Sequence, residues 1–217
     1  MGIEVCISRR SRFVHPALSS HPFQTVWAHW SSLRTGTDLP AKRDLNPAAL
    51  KTVLPNVVLL ERAATDRFVY RLAGTAFAER LSYNPTGQNL IDQLDPAVRD
   101  WSITWFNRSL DERFGALSEY SAEYYTGRVN KVASLYLPLR DATGAVSLFL
   151  AVNWPLEMLS YKPAGAVSRI GTDLLTVEPL DLGFGVPDLP RTPERPGVGR
   201  GSGPDADTVY SDSHAQR

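Results

Sequence analysis

Residues 57–75 read VVLLERAATDRFVYRLAGT and contain two short strands with a tight turn between them. The apolar run at 57–61 predicts the first strand, and the alternation of polar and apolar residues over 67–72 predicts the second. Ala64, Thr65 and Asp66 form the turn, so the two strands pair as an antiparallel hairpin. Gly74 then ends the second strand.

A long helix and three more strands follow this hairpin. Asp95 and the proline after it are typical of a helix start, and Gly115 marks the end of that helix. Three strands are predicted at 118–126, 131–140 and 145–154, with glycine in both turns. The last strand is apolar on both faces, which is typical of a central strand covered on both sides. The pattern therefore predicts an α+β fold whose five strands are joined by antiparallel hairpins.

An amphipathic helix is predicted upstream of the hairpin, over residues 22–34. Its apolar stripe has helical spacing and consists of Phe23, Val26, Trp27, Trp30 and Leu33. A single helix of this length is marginal in water, so its apolar stripe must be buried. Two partners remain open for it, the outer face of its own sheet or the same helix of a second copy.

Composition excludes several classes of protein. The 217 residues carry 23 basic and 23 acidic side chains, so no excess of positive charge favours nucleic acid or an anionic membrane. Cys6 is the single cysteine, which excludes an intramolecular disulfide and a cysteine-rich metal site. Neither a signal peptide nor an apolar run of membrane-spanning length is visible. The expectation is a cytoplasmic protein.

The ends of the chain differ in composition from its middle. Residues 183–204 contain six glycines and five prolines, too many for a packed core. We therefore predict a flexible N-terminus over 1–21, one domain over 22–160 and a largely disordered tail over 161–217. The core of that domain is expected at about 55–157.

The order and spacing of these elements resemble a known family. Trp30, the run LPAKRDLNP at 39–47, LPNV at 54–57, YRLAGT at 70–75 and Thr86-Gly87 are together similar to the short, mostly stand-alone PAS-domain proteins of proteobacteria. The resemblance covers roughly residues 23–157. It implies an α+β PAS fold, in which a five-stranded antiparallel sheet carries helices on one face. It also implies a sensory or regulatory module, and it implies no particular ligand.

Two cofactors known from PAS domains lack the residues that they need here. The four histidines are His15, His21, His29 and His214, so the long helix offers none as an axial haem ligand. Flavin photochemistry needs a cysteine after a Gly-x-Asn step, and Leu90 stands there in Gly87-Gln88-Asn89-Leu90. No cofactor is therefore predicted.

Enzyme motifs are also missing. The sequence has no nucleophile elbow, no phosphate-binding loop and no zinc-protease motif. The enzyme alternative that stays open is a carboxylate pair, Glu119 and Glu123, on one face of a strand. We expect a protein that is not an enzyme.

A binding module is the favoured function. The residues expected to line a pocket between the sheet and the long helix are Tyr70, Leu72, Trp101, Trp105, Phe149 and Asn153. A small apolar ligand or a protein partner would bind there, and the signal would pass to a separate protein. The alternative is a domain with a filled core that serves only dimerisation or protein interaction.

A homodimer is expected because the N-terminal helices of PAS domains often pair. The predicted isologous interface uses the apolar stripe of the first helix, Phe23, Val26, Trp27, Trp30 and Leu33.

Overall fold

One antiparallel sheet forms the centre of the protein. The computed structural model describes residues 20–163 and 169–194, so predictions for 1–19, 164–168 and 195–217 lie outside the described residues. The strands are β1 (Val57–Ala64), β2 (Arg67–Ala73), β3 (Gly115–Glu123), β4 (Arg128–Arg140), β5 (Val146–Tyr161) and β6 (Arg169–Leu180). Their order in the sheet is β2-β1-β5-β4-β3-β6. The double-sided apolar strand β5 lies between β1 and β4, as its sequence predicts.

The described residues form three α-helices and five short 3₁₀ helices, which lie before β1 and between β2 and β3. The α-helices are α1 (His21–Ser32), α2 (Thr75–Leu81) and α3 (Arg99–Glu112), and the 3₁₀ helices are Lys42–Asp44, Pro47–Leu50, Leu54–Asn56, Leu90–Gln93 and Pro96–Val98. Asp95 caps the turn before α3 by accepting a hydrogen bond from the Ala97 N–H. Within the described residues, no helix combines the length and the apolar character that crossing a membrane requires.

The sixth strand corrects two predictions. β6 pairs with β3 from Gly115 opposite Leu180 to Glu123 opposite Arg169. The sheet therefore has six strands rather than five, and the prediction of a disordered tail from 161 onward is wrong for residues 169–180. Composition averaged over the whole segment hid a short strand whose apolar residues, Ile170, Leu175, Val177 and Leu180, are buried.

Helix α1 covers the opposite face of the sheet from α2 and α3. Phe23, Val26 and Trp30 have no exposed surface, and the Trp30 Nε1–H donates to the Pro138 carbonyl at 3.0 Å. They pack against the leucines of β4 and β5 that face away from α3. The predicted dimer interface is therefore wrong for these three residues, because the chain's own sheet buries them. Trp27 and Leu33 are only half-buried.

Candidate functional site

A small internal cavity lies between the sheet and the helices α2 and α3. Its volume is about 60 Å³. The wall is mainly apolar and includes Leu60 of β1, Phe77 of α2, Leu90 of the 3₁₀ helix before α3 and Phe106 of α3. We call this space the inner cavity. An apolar cavity with a few polar groups is typical of a small-molecule site.

Five of the six predicted pocket residues lie around the inner cavity: Tyr70, Trp101, Trp105, Phe149 and Asn153. Leu72 does not line it, and its side chain is 38% exposed. The cause is an irregular register between β1 and β2. Leu59 pairs with Leu72 but Leu60 pairs with Tyr70, so Arg71 is an extra residue in β2. This bulge breaks the alternation that places residues i and i+2 on one face.

Three hydrogen-bonded side chains form a polar cluster in the wall of the inner cavity: Tyr120 of β3, Ser134 of β4 and Asn153 of β5. The Tyr120 hydroxyl and the Ser134 Oγ lie 2.9 Å apart. The Asn153 Nδ2 donates to the Ser134 Oγ at 3.0 Å and to the Tyr120 hydroxyl. The cluster is buried, so it presents a few polar atoms within an otherwise apolar wall.

Arg80 of α2 forms a hydrogen bond to the Asn153 side chain of this cluster. Its guanidinium donates to the Asn153 Oδ1 at 2.8 Å and to the Asn56 Oδ1 at 2.7 Å. Within the described part of the chain, Arg80 forms no ion pair with a carboxylate. Because the Asn153 oxygen accepts from Arg80, its nitrogen must face Tyr120 and Ser134. The arginine therefore determines the orientation of the Asn153 amide.

The tyrosines around the cavity remain neutral. Burial raises the pKa of Tyr70 and of Tyr120 well above the ordinary tyrosine value, and it also raises the pKa of Tyr136. The Tyr70 hydroxyl donates to the Gln93 Oε1 at 3.1 Å. These phenols therefore act as hydrogen-bonding hydroxyl groups and not as charges.

The two tryptophans of α3 differ in their hydrogen bonds. The Trp105 Nε1–H donates to the Pro190 carbonyl at 2.9 Å. The Trp101 Nε1–H is buried and has no hydrogen-bond partner among the described residues. An unpaired buried donor costs free energy, so this group marks where an acceptor is missing.

The sequence analysis missed the polar residues of β3 and β4, namely Ser118, Tyr120, Ser134 and Tyr136, and it missed Arg80. Ser118 and Tyr120 are two positions apart, as are Ser134 and Tyr136, so each pair shares a face of its strand. That alternation was a usable signal for the strands. No comparable signal marked Arg80, because its role depends on contacts with residues that are distant in sequence.

Glu119 and Glu123 are each part of a separate ion pair. Glu119 lies 3.0 Å from the Lys131 ammonium, and Glu123 lies 3.0 Å from the Lys162 ammonium. Each carboxylate therefore serves as the ion-pair partner of a lysine.

Comparison with known proteins agrees with this architecture. The family model PAS_5, described as a PAS domain, matches residues 18–153. The chain therefore belongs to the PAS-domain family, which confirms the resemblance and the predicted α+β PAS fold. PAS domains are generally sensory or regulatory modules, so that coarse function applies to this protein.

Solved structures give a weaker likeness, in fold only. One is a solved structure described as "Flavin Analogue Sheds Light on Light-Oxygen-Voltage Domain Mechanism". It is 18% identical with a TM-score of 0.42, and the match covers 51% of this chain and 83% of the other. The dark structure of the blue-light photoreceptor Aureochrome1 LOV is 17% identical with a TM-score of 0.39, and the match covers 57% and 89%. No curated protein matches the chain.

Proposed function

We propose that this PAS domain senses a small, neutral, mainly apolar molecule that carries a hydrogen-bond-accepting oxygen. The molecule binds in the inner cavity, and the bound domain acts on a separate effector protein. The observation that carries the proposal is the unpaired Trp101 N–H in the wall of an apolar cavity that also contains a polar cluster.

The size of the cavity limits the ligand. A water molecule needs roughly 10–15 Å³ of such space, so about 60 Å³ admits on the order of five water-sized groups. A small ketone of about five non-hydrogen atoms matches this room, whereas a six-membered ring or a larger cofactor does not fit without a rearrangement of the wall. Leu90 is itself part of that wall, which is consistent with the expectation that no flavin adduct forms.

The hydrogen-bond donors determine the chemistry of the ligand. Asn153 donates to both hydroxyl groups of the polar cluster, and only one hydroxyl hydrogen lies between Tyr120 and Ser134. The second hydroxyl hydrogen of the pair can therefore bond to a ligand oxygen. If it bonds to a neighbouring hydroxyl instead, the hydrogen of that hydroxyl becomes the spare donor. With the Trp101 N–H, the cavity offers two spare donors, and a carbonyl oxygen accepts two hydrogen bonds.

A matched pair of ligands tests this proposal. Butanone should bind the full chain, whereas 2-methyl-1-butene, in which a CH₂ group replaces the oxygen, should bind more weakly. Trp101→Phe removes the indole N–H and should weaken butanone binding about tenfold, the effect of losing roughly 1.4 kcal/mol. Titrations followed by ¹⁵N–¹H spectra give both dissociation constants.

The control for this experiment is Trp154→Phe, because Trp154 packs in the apolar cluster on the other face of the sheet. That variant should bind butanone as the wild type does. No binding of butanone, or equal dissociation constants for the wild type and Trp101→Phe, would contradict the proposed function.

A second candidate function, protein interaction, is favoured by one surface feature. The far end of β5 exposes four large apolar side chains, which are between 45% and 69% accessible: Leu156, Met158, Leu159 and Tyr161. We call this surface the apolar strip. Exposed apolar patches typically mark interfaces. Since α1 is largely buried by its own sheet, we propose that a second copy of the chain packs on the apolar strip.

Light scattering during size-exclusion chromatography tests this dimer. The full chain should run as a dimer at micromolar concentration, and Met158→Ser with Leu159→Ser should shift it to a monomer. Two serines at Trp27 and Leu33, the half-buried residues of α1, should leave the dimer intact. A monomeric wild type, or a dimer that the Met158 and Leu159 substitutions do not change, would exclude the strip as the interface.

A further inference from the structure

A second and larger concavity lies outside the inner cavity, on the other side of Gln93 and Leu94. Its volume is about 1010 Å³. It runs between the end of α2, the segment before α3 and the start of β6. Leu94 lines both spaces, so they share part of a wall, and their other lining residues differ. A concavity of this size matches the usual range for small-molecule sites.

Arginines dominate the charge of this concavity, which we call the arginine groove. Arg67, Arg99 and Arg169 line it, and they come from β2, α3 and β6. The carboxylate in the lining is Asp92. Among the residues that the structure describes, none of these three arginines forms an ion pair, whereas Arg62, Arg71, Arg108, Arg140 and Arg191 each pair with a carboxylate. The folded chain therefore gathers positive charge here that its own acids do not neutralise.

Arg99 is held in position without losing its charge. Its Nε donates to the Leu94 carbonyl at 3.1 Å, and one terminal nitrogen donates to the Asp92 carbonyl at 3.2 Å. Neutral backbone acceptors thus orient the guanidinium and leave other N–H groups for a ligand. A planar guanidinium in a fixed position suits a carboxylate or a phosphate.

Gln93 adds a donor that has no partner. Its side-chain oxygen accepts from the Tyr70 hydroxyl, which determines the orientation of the amide. The residue is 8% exposed, and its Nε2 has no hydrogen-bond partner among the described residues. Gln93 lines the groove, so this buried amide lies in its wall beside the three cations. The three guanidinium groups favour an acceptor with negative charge.

Two aromatic rings complete the lining. Tyr83 is 38% exposed and Tyr125 is 53% exposed, so each has ring surface open to the groove. Exposed aromatic rings favour the stacking of a planar group.

We propose that the arginine groove is a binding site for a small organic anion, a carboxylate or a phosphate ester, that carries a planar ring. The anionic group binds Arg67, Arg99 and Arg169, and the ring packs on the tyrosines. This site is separate from the inner cavity and takes a ligand of opposite character.

Four probes and full-length protein test the site by calorimetry: phenyl phosphate, benzoate, inorganic phosphate and the neutral benzamide. Phenyl phosphate or benzoate should bind at one site, and the tighter of the two identifies the anionic group. Benzamide and inorganic phosphate should bind at least tenfold more weakly, because each lacks one half of the proposed ligand.

The variants Arg67→Gln and Arg169→Gln remove exposed charges of the groove and should each weaken the better probe about fivefold, and together more than tenfold. Arg43→Gln is the matched control, since Arg43 is exposed and remote from the groove, and it should bind as the wild type does. Butanone binding to the inner cavity should not change in any of these variants. Equal affinity of the double variant and the wild type, equal binding of benzamide, or no binding of either aromatic anion at millimolar concentration would overturn the proposal.

Discussion

Gly74→Ala is expected to destabilise the fold by about 3 kcal/mol or more, the upper range for overpacking. A Cβ atom at Gly74 would lie 2.3 Å from the Pro55 carbonyl oxygen and 2.5 Å from the Leu54 carbonyl oxygen. Both neighbours are backbone atoms of the turn that begins β1, and the Gly74 N–H donates to the Val57 carbonyl at 2.8 Å. Neither side can move without breaking the contact between α2 and the start of β1. Urea unfolding of the full chain measures the loss.

Gly144→Ala provides the control for that substitution. Gly144 lies in the turn between β4 and β5 at φ +91°, and no atom lies within 4 Å of the Cβ position. Its cost is therefore backbone strain alone, about 1–2 kcal/mol. If Gly74→Ala cost no more than Gly144→Ala, the close approach between α2 and the turn at Leu54–Asn56 would be wrong.

Gly74 also shows how far sequence reasoning reached in the fold. The sequence identified it as the end of a strand, and that is correct. Only glycine fits there because the Leu54 and Pro55 carbonyls lie against it. These residues are about twenty positions earlier in the chain, so a local sequence pattern does not reveal the contact. The elements with strong local signals, the hairpin of β1 and β2, the helix α3 and the strands β3 to β5, were all predicted in their observed order.

The missed features have a common physical cause. β6 is bounded by sequence rich in glycine and proline, and its stability comes from pairing with β3 along nearly its whole length. Strict alternation along β2 predicts that Leu72 faces the pocket. The extra residue Arg71 instead shifts the side chains that follow it to the opposite face. The stripe of α1 was identified correctly, and the outer face of its own sheet was one of the two partners left open for it. The isologous dimer predicted through this stripe is wrong for Phe23, Val26 and Trp30, because the leucines of β4 and β5 bury them. Tertiary pairing, rather than local preference, determined each outcome.

Asn153→Leu is expected to cost about 2–4 kcal/mol of unfolding free energy and to abolish the order of the polar cluster. The substitution removes the hydrogen bonds to Tyr120 and Ser134 and takes the Oδ1 acceptor from Arg80. The guanidinium would then keep its bond to Asn56 but lose a close side-chain acceptor in a partly buried place. Losing one partner of a charged hydrogen bond is costly because the remaining charge stays desolvated.

A double-mutant cycle separates this loss from the change in packing. Arg80→Met keeps much of the side-chain volume and removes the charge, so Arg80→Met with Asn153→Leu no longer leaves a cation without its acceptor. The double variant should therefore be more stable than the sum of the two single effects predicts, by about 1–3 kcal/mol. Additive effects in urea unfolding would mean that Arg80 does not orient Asn153. In that case the spare hydroxyl donor of the inner cavity would lose its structural basis, and only the Trp101 N–H would remain to select an oxygen-bearing ligand.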